Sequence, residues 1–410
     1  MTDDTDFSLE SVIILILGVF AFLFGLLLLG IHAGHLSYNP DSTYGLFLVI
    51  VAFQVITMGR TPFGDLRRSW ALILVGICAA IIGMAACFIP GYFTEFAREL
   101  AGMVLLTSGI CLLLQMFLPE RKARMWILVG GILRKLAFAC ALVYTMTATF
   151  GIITLFPGVT TELLTATLLI IYGVGFFYLS WCIRKVAVLY PKESGMPNST
   201  EPKKRSGFFQ ESSLPLSILI IILLGILLTF LGLLLIPVNL GLLPFSPDGQ
   251  FGILLTIMAI QMMSLGDTPL GQYQRSSLIM VMGLVCAALG IFSCISPGVL
   301  TGMIRVLLGF LNVIGGAALL IGRYFPLLRN MRNPSATPVV VAPIVRKLTV
   351  TQTTLNCVTM VFGVSMLVPG LVPGLFIAGI LVVNGLLLFI LALVLQKITE
   401  MLSWRVRQRA

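Results

Sequence analysis

Residues 76–109 read GICAAIIGMAACFIPGYFTEFARELAGMVLLTSG, and residues 283–316 read GLVCAALGIFSCISPGVLTGMIRVLLGFLNVIGG. Each stretch sets two glycines seven apart, turns at Pro90-Gly91 or Pro297-Gly298, and then sets two more glycines seven apart. Pro-Gly is a strong turn dipeptide, because proline presets φ and glycine tolerates a tight backbone. Seven residues advance a helix by nearly two turns, so both glycines of a pair share one face. Each stretch therefore predicts two helices joined by a tight turn, with a small-residue stripe along each. In lipid, apolar burial gives no drive between helices, and small residues let backbones approach for van der Waals contact. The stripes read as packing seams.

The two stretches belong to a longer correspondence. Adding 207 maps Gly18, Gly25, Pro40, Asp41, Gln54 and Arg98 onto Gly225, Gly232, Pro247, Asp248, Gln261 and Arg305. Farther along the offset becomes 212, where Arg134-Lys135-Leu136, Phe150-Gly151 and Pro157-Gly158 meet Arg346-Lys347-Leu348, Phe362-Gly363 and Pro369-Gly370. Self-similarity of this length is the mark of a tandem duplication.

Of the 410 residues, 58% are hydrophobic and 10% charged, against about 25% charged in soluble domains. The mean hydropathy is +1.06. Apolar runs long enough to cross a hydrocarbon core of about 30 Å recur throughout. Six fall in each copy, the second run of each (44–58 and 251–265) being the shortest. Proline sequences punctuate them in pairs: NPDS, IPGY, FPGV, SPDG, SPGV and VPGL. The expected fold is all-α, a polytopic membrane protein of about 12 transmembrane helices arranged as six hairpins in two tandem six-helix repeats. The expected organisation is a first repeat at 1–185, a basic linker at 186–212 and a second repeat at 213–410. The acidic opening MTDDTDFSLE does not read as a signal peptide.

The formal net charge is +10. The basic residues gather in alternate loops and the tail, and of the 26 Lys and Arg only Arg98 and Arg305 fall on the proline-turn side. By the positive-inside rule this places both termini and the linker in the cytoplasm and the proline turns outside, in a prokaryotic cytoplasmic membrane. That distribution accounts for the charge without nucleic acid, since no basic stripe is interleaved with aromatics. The expected partner is the lipid bilayer, with anionic lipid headgroups or a small solute as candidate ligands.

The sequence reads as non-enzymatic and without a cofactor. No catalytic triad, H-E-x-x-H or phosphate-cradling glycine loop is present, and no acidic residue falls in the middle of an apolar run. The eight cysteines sit singly in apolar runs and read as free buried thiols rather than a disulfide framework or zinc site. His32 and His35 share one loop but lack the further ligands a metal needs. Two repeated features remain as candidate anion or lipid-headgroup contacts. One is the loop GRTPFGDLRRS (59–69) with its counterpart GDTPLGQYQRS (266–276). There Thr61 and Thr268 suit N-caps, and Arg68 and Arg275 follow two turns later. The other is Arg98 and Arg305, eight residues beyond Pro90 and Pro297; Arg98 has Glu95 and Glu99 beside it for local pairing, and Arg305 has no neighbouring acid.

The repeated order of glycine pair, proline turn and glycine pair at 76–109 and 283–316 resembles the HdeD acid-resistance membrane protein family. The resemblance covers each six-helix half and implies two such domains fused in one chain. It implies an envelope-stress or acid-resistance role and supplies no catalytic residues. Two other readings stand beside it. A twelve-helix transporter of the major facilitator type also has two six-helix halves, and GRTPFGDLRRS loosely matches its glycine–aspartate–arginine loop, although GDTPLGQYQRS lacks Asp65 and Arg67. The third reading is a scaffold subunit of a larger membrane complex.

Overall fold

The computed structural model describes residues 9–57, 70–117, 130–189, 215–264, 277–331 and 343–409. Among these residues the structure is all helix, with twelve elements. They are α1 (Leu9–His32), α2 (Pro40–Thr57), α3 (Trp70–Phe88), α4 (Thr94–Phe117), α5 (Gly131–Leu155) and α6 (Glu162–Leu189), then α7 (Leu216–Asn239), α8 (Pro247–Ser264), α9 (Ser277–Ile295), α10 (Thr301–Met331), α11 (Pro343–Leu367) and α12 (Gly374–Arg409). Ten are long and apolar enough to cross a membrane. The other two, α2 and α8, have 18 residues each, about 27 Å of helix at 1.5 Å per residue. Both pack inside, with Leu48, Ile50 and Phe53 of α2 and Ile253, Leu255 and Ala259 of α8 fully buried. The protein is a polytopic all-α membrane protein.

Four of the six proline sequences are reversals, and two are not. Gly91, Gly298, Gly158 and Gly370 each follow a proline and take φ of 85°, 85°, 101° and 81°, a region open chiefly to glycine. At NPDS and SPDG the chain instead enters a helix. Asn39 Oδ1 accepts from Ser42 N at 3.1 Å and Ser246 Oγ from Gly249 N at 3.3 Å. Pro40 and Pro247 then occupy the first helical position, where proline's missing N–H is harmless. The preceding reversals include Gly34 and Gly241, at φ of 73° and 72°.

The helices joined by proline turns are not the closest packed. One compact unit contains α1 to α6 together with α8 and α9, and the other contains α7 and α10 to α12. The α8–α9 pair thus groups with helices of the first sequence copy. In the first unit the closest pairs are α1 with α6, α2 with α3, α4 with α5 and α8 with α9; in the second they are α7 with α12 and α10 with α11. The glycine stripes lie on these seams. A Cβ on Gly83 would stand 2.5 Å from Gly45 O, and one on Gly290 would stand 2.6 Å from Gly252 O. Gly109 would meet Ala148 N at 2.5 Å, and Gly232 would meet Ala378 O at 2.7 Å. Backbone touches backbone at each place, so any side chain forces the helices apart.

Candidate functional site

The N-terminal ends of α2 and α8 and the C-terminal ends of α3 and α9 meet at the proline-turn end of the first unit. Their contact is reciprocal. Asn39 N donates to Ile295 O at 3.0 Å, and Ser246 N donates to Phe88 O at 3.1 Å. Both donors and both acceptors are 207 residues apart, so a local two-fold axis relates the α2–α3 pair to the α8–α9 pair. Ser42 and Gly249 flank it: Ser42 Oγ donates to Cys87 O at 3.3 Å and lies 2.7 Å from where a Cβ on Gly249 would stand. That same Cβ would collide with Cys87 O. A side chain fits on one side of the axis only, which explains NPDS against SPDG at the fourth letter.

Asp41 belongs to this cluster. The sequence reading sets the proline turns with Asp41 at the outer surface, but the structure leaves only 7% of Asp41 exposed. Its Oδ2 accepts from Gly91 N at 2.9 Å, which ties the N-terminus of α2 to the Pro90-Gly91 turn. Its Oδ1 is buried with no hydrogen-bond partner. The signal for this residue was its recurrence as Asp248 after a capping residue and proline. Tyr38, which precedes the cap, stacks on Phe24 with centroids 6.1 Å apart. Its phenol is pushed far above the ordinary tyrosine range, first by burial and then by the Tyr44 phenol, and remains neutral.

Arg98 and Arg305 occupy equivalent places in the second turns of α4 and α10. The local pairing expected for Arg98 does not form: no ion pair joins it to Glu95 or Glu99, and the phenol of Tyr44 is its polar neighbour instead. Both side chains are half-buried, and the Nε of each is buried without a hydrogen-bond partner. Thr61, Arg68, Thr268 and Arg275 lie outside the described residues. No group of three or more His, Cys, Asp or Glu among the described residues could hold a metal ion. His32 Nδ1 instead meets Glu162 Oε2 at 2.9 Å, joining the ends of α1 and α6 at an exposed position. The corresponding residues are Asn239 and Gly374, where the Asn239 amide occupies the space a Gly374 side chain would need. A titratable contact in one copy is thus a neutral one in the other.

The two matching stretches of sequence also differ inside. Thr147 Oγ1 and Tyr172 OH lie 2.8 Å apart on the α5–α6 seam, and Phe150, Tyr172 and Phe176 form a ladder with centroids 5.2 and 4.5 Å apart. Adding 212 turns Tyr172 and Phe176 into Asn384 and Leu388, and adding 207 turns Phe22 into Thr229. Asn384 Oδ1 and Thr229 Oγ1 are both buried with no hydrogen-bond partner. Only the second copy sets unsatisfied polar atoms within its helix seams at these positions, a difference that apolar-run counting passes over. Of the eight cysteines, five are buried as expected, while Cys78, Cys111 and Cys357 are exposed.

The geometry defines the class, a multi-pass helical membrane protein with a polar, duplicated contact at its proline-turn end. No known protein family, no curated protein and no solved structure matches the chain.

Proposed function

We propose that this chain is a non-enzymatic, HdeD-like protein of a prokaryotic cytoplasmic membrane, carrying two six-helix copies and serving envelope or acid-stress resistance. In this reading both termini and the linker 186–212 are cytoplasmic and the proline turns face outside. Arg98 and Arg305 then lie near the outer headgroups, where an anionic lipid or a small anion can meet their terminal nitrogens.

One observation favours this reading over a carrier of the major facilitator type, namely the reciprocal bonds at the proline-turn end. Carriers of that type work by rocking one half against the other. Parting the copies here would strip Asn39 N, Ile295 O, Ser246 N and Phe88 O of their partners. A buried backbone group left unsatisfied costs about 1–3 kcal/mol. The α2–α3 and α8–α9 pairs held in this way move as one body.

The test joins survival to flux. Cells lacking the protein should die faster under acid challenge. Arg305→Ala should restore survival less well than Arg98→Ala at matched expression, because Arg98 keeps Tyr44 as a neighbour. Proteoliposomes should show no uptake across a solute panel, with or without a pH gradient. Unchanged survival on deletion would refute the stress role, and solute uptake above protein-free vesicles would hand the chain to the carrier reading.

A further inference from the structure

Cys87 and Cys294 stand 207 residues apart at the C-terminal ends of α3 and α9, and both are completely buried. Each thiol points to a carbonyl of the helix packed against it. Cys87 Sγ donates to Ser42 O at 3.4 Å, and Cys294 Sγ donates to Gly249 O at 3.8 Å. Ser42 and Gly249 are the two residues that abut across the local axis. The thiols therefore flank that axis from opposite sides, within one and the same reciprocal contact. Glycines make the room they occupy. A Cβ on Gly45 would come within 2.7 Å of Cys87 Sγ, and one on Gly252 within 2.5 Å of Cys294 Sγ. Each sulfur is held in a pocket that only glycine leaves open, on both sides of the same contact.

We propose that Cys87 and Cys294 are an oxidisable pair, which closes to a disulfide between the α2–α3 and α8–α9 pairs. An S–S bond of about 2.05 Å needs Cα atoms about 4.4–6.8 Å apart, so closure draws the C-terminal ends of α3 and α9 together across the local axis where the reciprocal hydrogen bonds already join them. The oxidant is a diazene or an exchangeable disulfide. With a diazene, one cysteine sulfur adds to the N=N bond, its proton passing to the other nitrogen. The second sulfur then attacks the first sulfur and expels the nitrogen bound to it, so the S–N bond breaks as the S–S bond forms. The second thiol proton leaves with the released hydrazine, which carries both electrons. Burial makes such thiols slow to react, and the same burial shields the closed bond from reductant until the seam opens. The bond would join residues from the two halves of the chain where the reciprocal hydrogen bonds already hold them. This inference rests on the contact alone and stands apart from the stress-related reading.

The experiment oxidises the purified full-length protein in detergent with diamide, using a chain in which the exposed Cys78, Cys111 and Cys357 are serine. After denaturation without reductant, free thiols are blocked with N-ethylmaleimide, and the digest is read by mass spectrometry. A linked peptide pair carrying Cys87 and Cys294 is expected, with Cys140, Cys182 and Cys286 alkylated. The link should vanish after treatment with a phosphine reductant under denaturing conditions, and be absent from a Cys294→Ser chain that elutes as wild type by size exclusion. Reaction is allowed to run at a temperature just below unfolding, so that the seam opens during the assay. Cys87 and Cys294 both alkylated after that treatment, or linked at random to Cys140, Cys182 and Cys286, would overturn the proposal.

Discussion

Gly249→Ser would make the second copy match the first at the local axis, and the structure says the chain cannot accept it. A Cβ at this position collides with Cys87 O and comes within 2.7 Å of Ser42 Oγ. The carbonyl belongs to a helix backbone and cannot swing aside, so α8 must move away from α3. Overpacking of this kind costs about 1–3 kcal/mol. If the movement also breaks the Ser246 N to Phe88 O bond, 3.1 Å long in the native contact, an unsatisfied buried group adds about 1–3 kcal/mol. The expected loss is thus about 1–6 kcal/mol, read as a lowered midpoint of thermal unfolding in detergent. Ser42→Gly is the comparison. It removes only the Ser42 Oγ to Cys87 O bond and should cost about 0.5–1.5 kcal/mol. Combining the two changes should not rescue Gly249→Ser, because the Cys87 carbonyl remains in the way. Unfolding of Gly249→Ser at the wild-type temperature, or its rescue by Ser42→Gly, would refute the tight reciprocal contact.

Two further outcomes follow from particular residues. Asn384→Leu should raise the unfolding midpoint, since it removes a buried carbonyl oxygen without a partner whose burial costs about 1–3 kcal/mol; a lowered midpoint would mean that Asn384 is satisfied in the native protein. Single cysteines at His35 and at Leu242, the latter 70% exposed, in a cysteine-free chain should label from outside intact cells with a membrane-impermeant maleimide. Labelling at either site only after permeabilisation would invert the proposed topology.

The helical class and nearly every element were legible in the sequence, because a membrane helix is specified locally. An apolar run of sufficient length, a proline and a glycine suffice, whatever neighbours it later meets. The same holds for the glycine stripes: a spacing of seven marks one face of a helix. It does not say which helix covers that face. In lipid the apolar faces are nearly interchangeable, so the choice falls to shape. Only the packed structure shows Gly83 against Gly45 and Gly109 against Ala148, across pairs other than those the proline turns join.

The candidate site divides in the same way. Arg98 and Arg305 stand out in the sequence as the two basic residues on the sparsely charged side, and the structure places them at equivalent turns. Asp41 read as an outer-surface residue because its proline turn falls on the side poor in basic residues, yet the fold draws the end of α2 under the Pro90-Gly91 turn and buries it. Cys87 and Cys294 read as lone thiols, each among apolar neighbours. Their adjacency comes from the local two-fold contact, which brings together residues 207 positions apart. Composition, periodicity and charge decide what each segment is and which side of the membrane its ends prefer. Which backbones touch, which polar atoms lose water and which thiols meet are decided by packing alone, because those depend on distances between segments that no local pattern encodes.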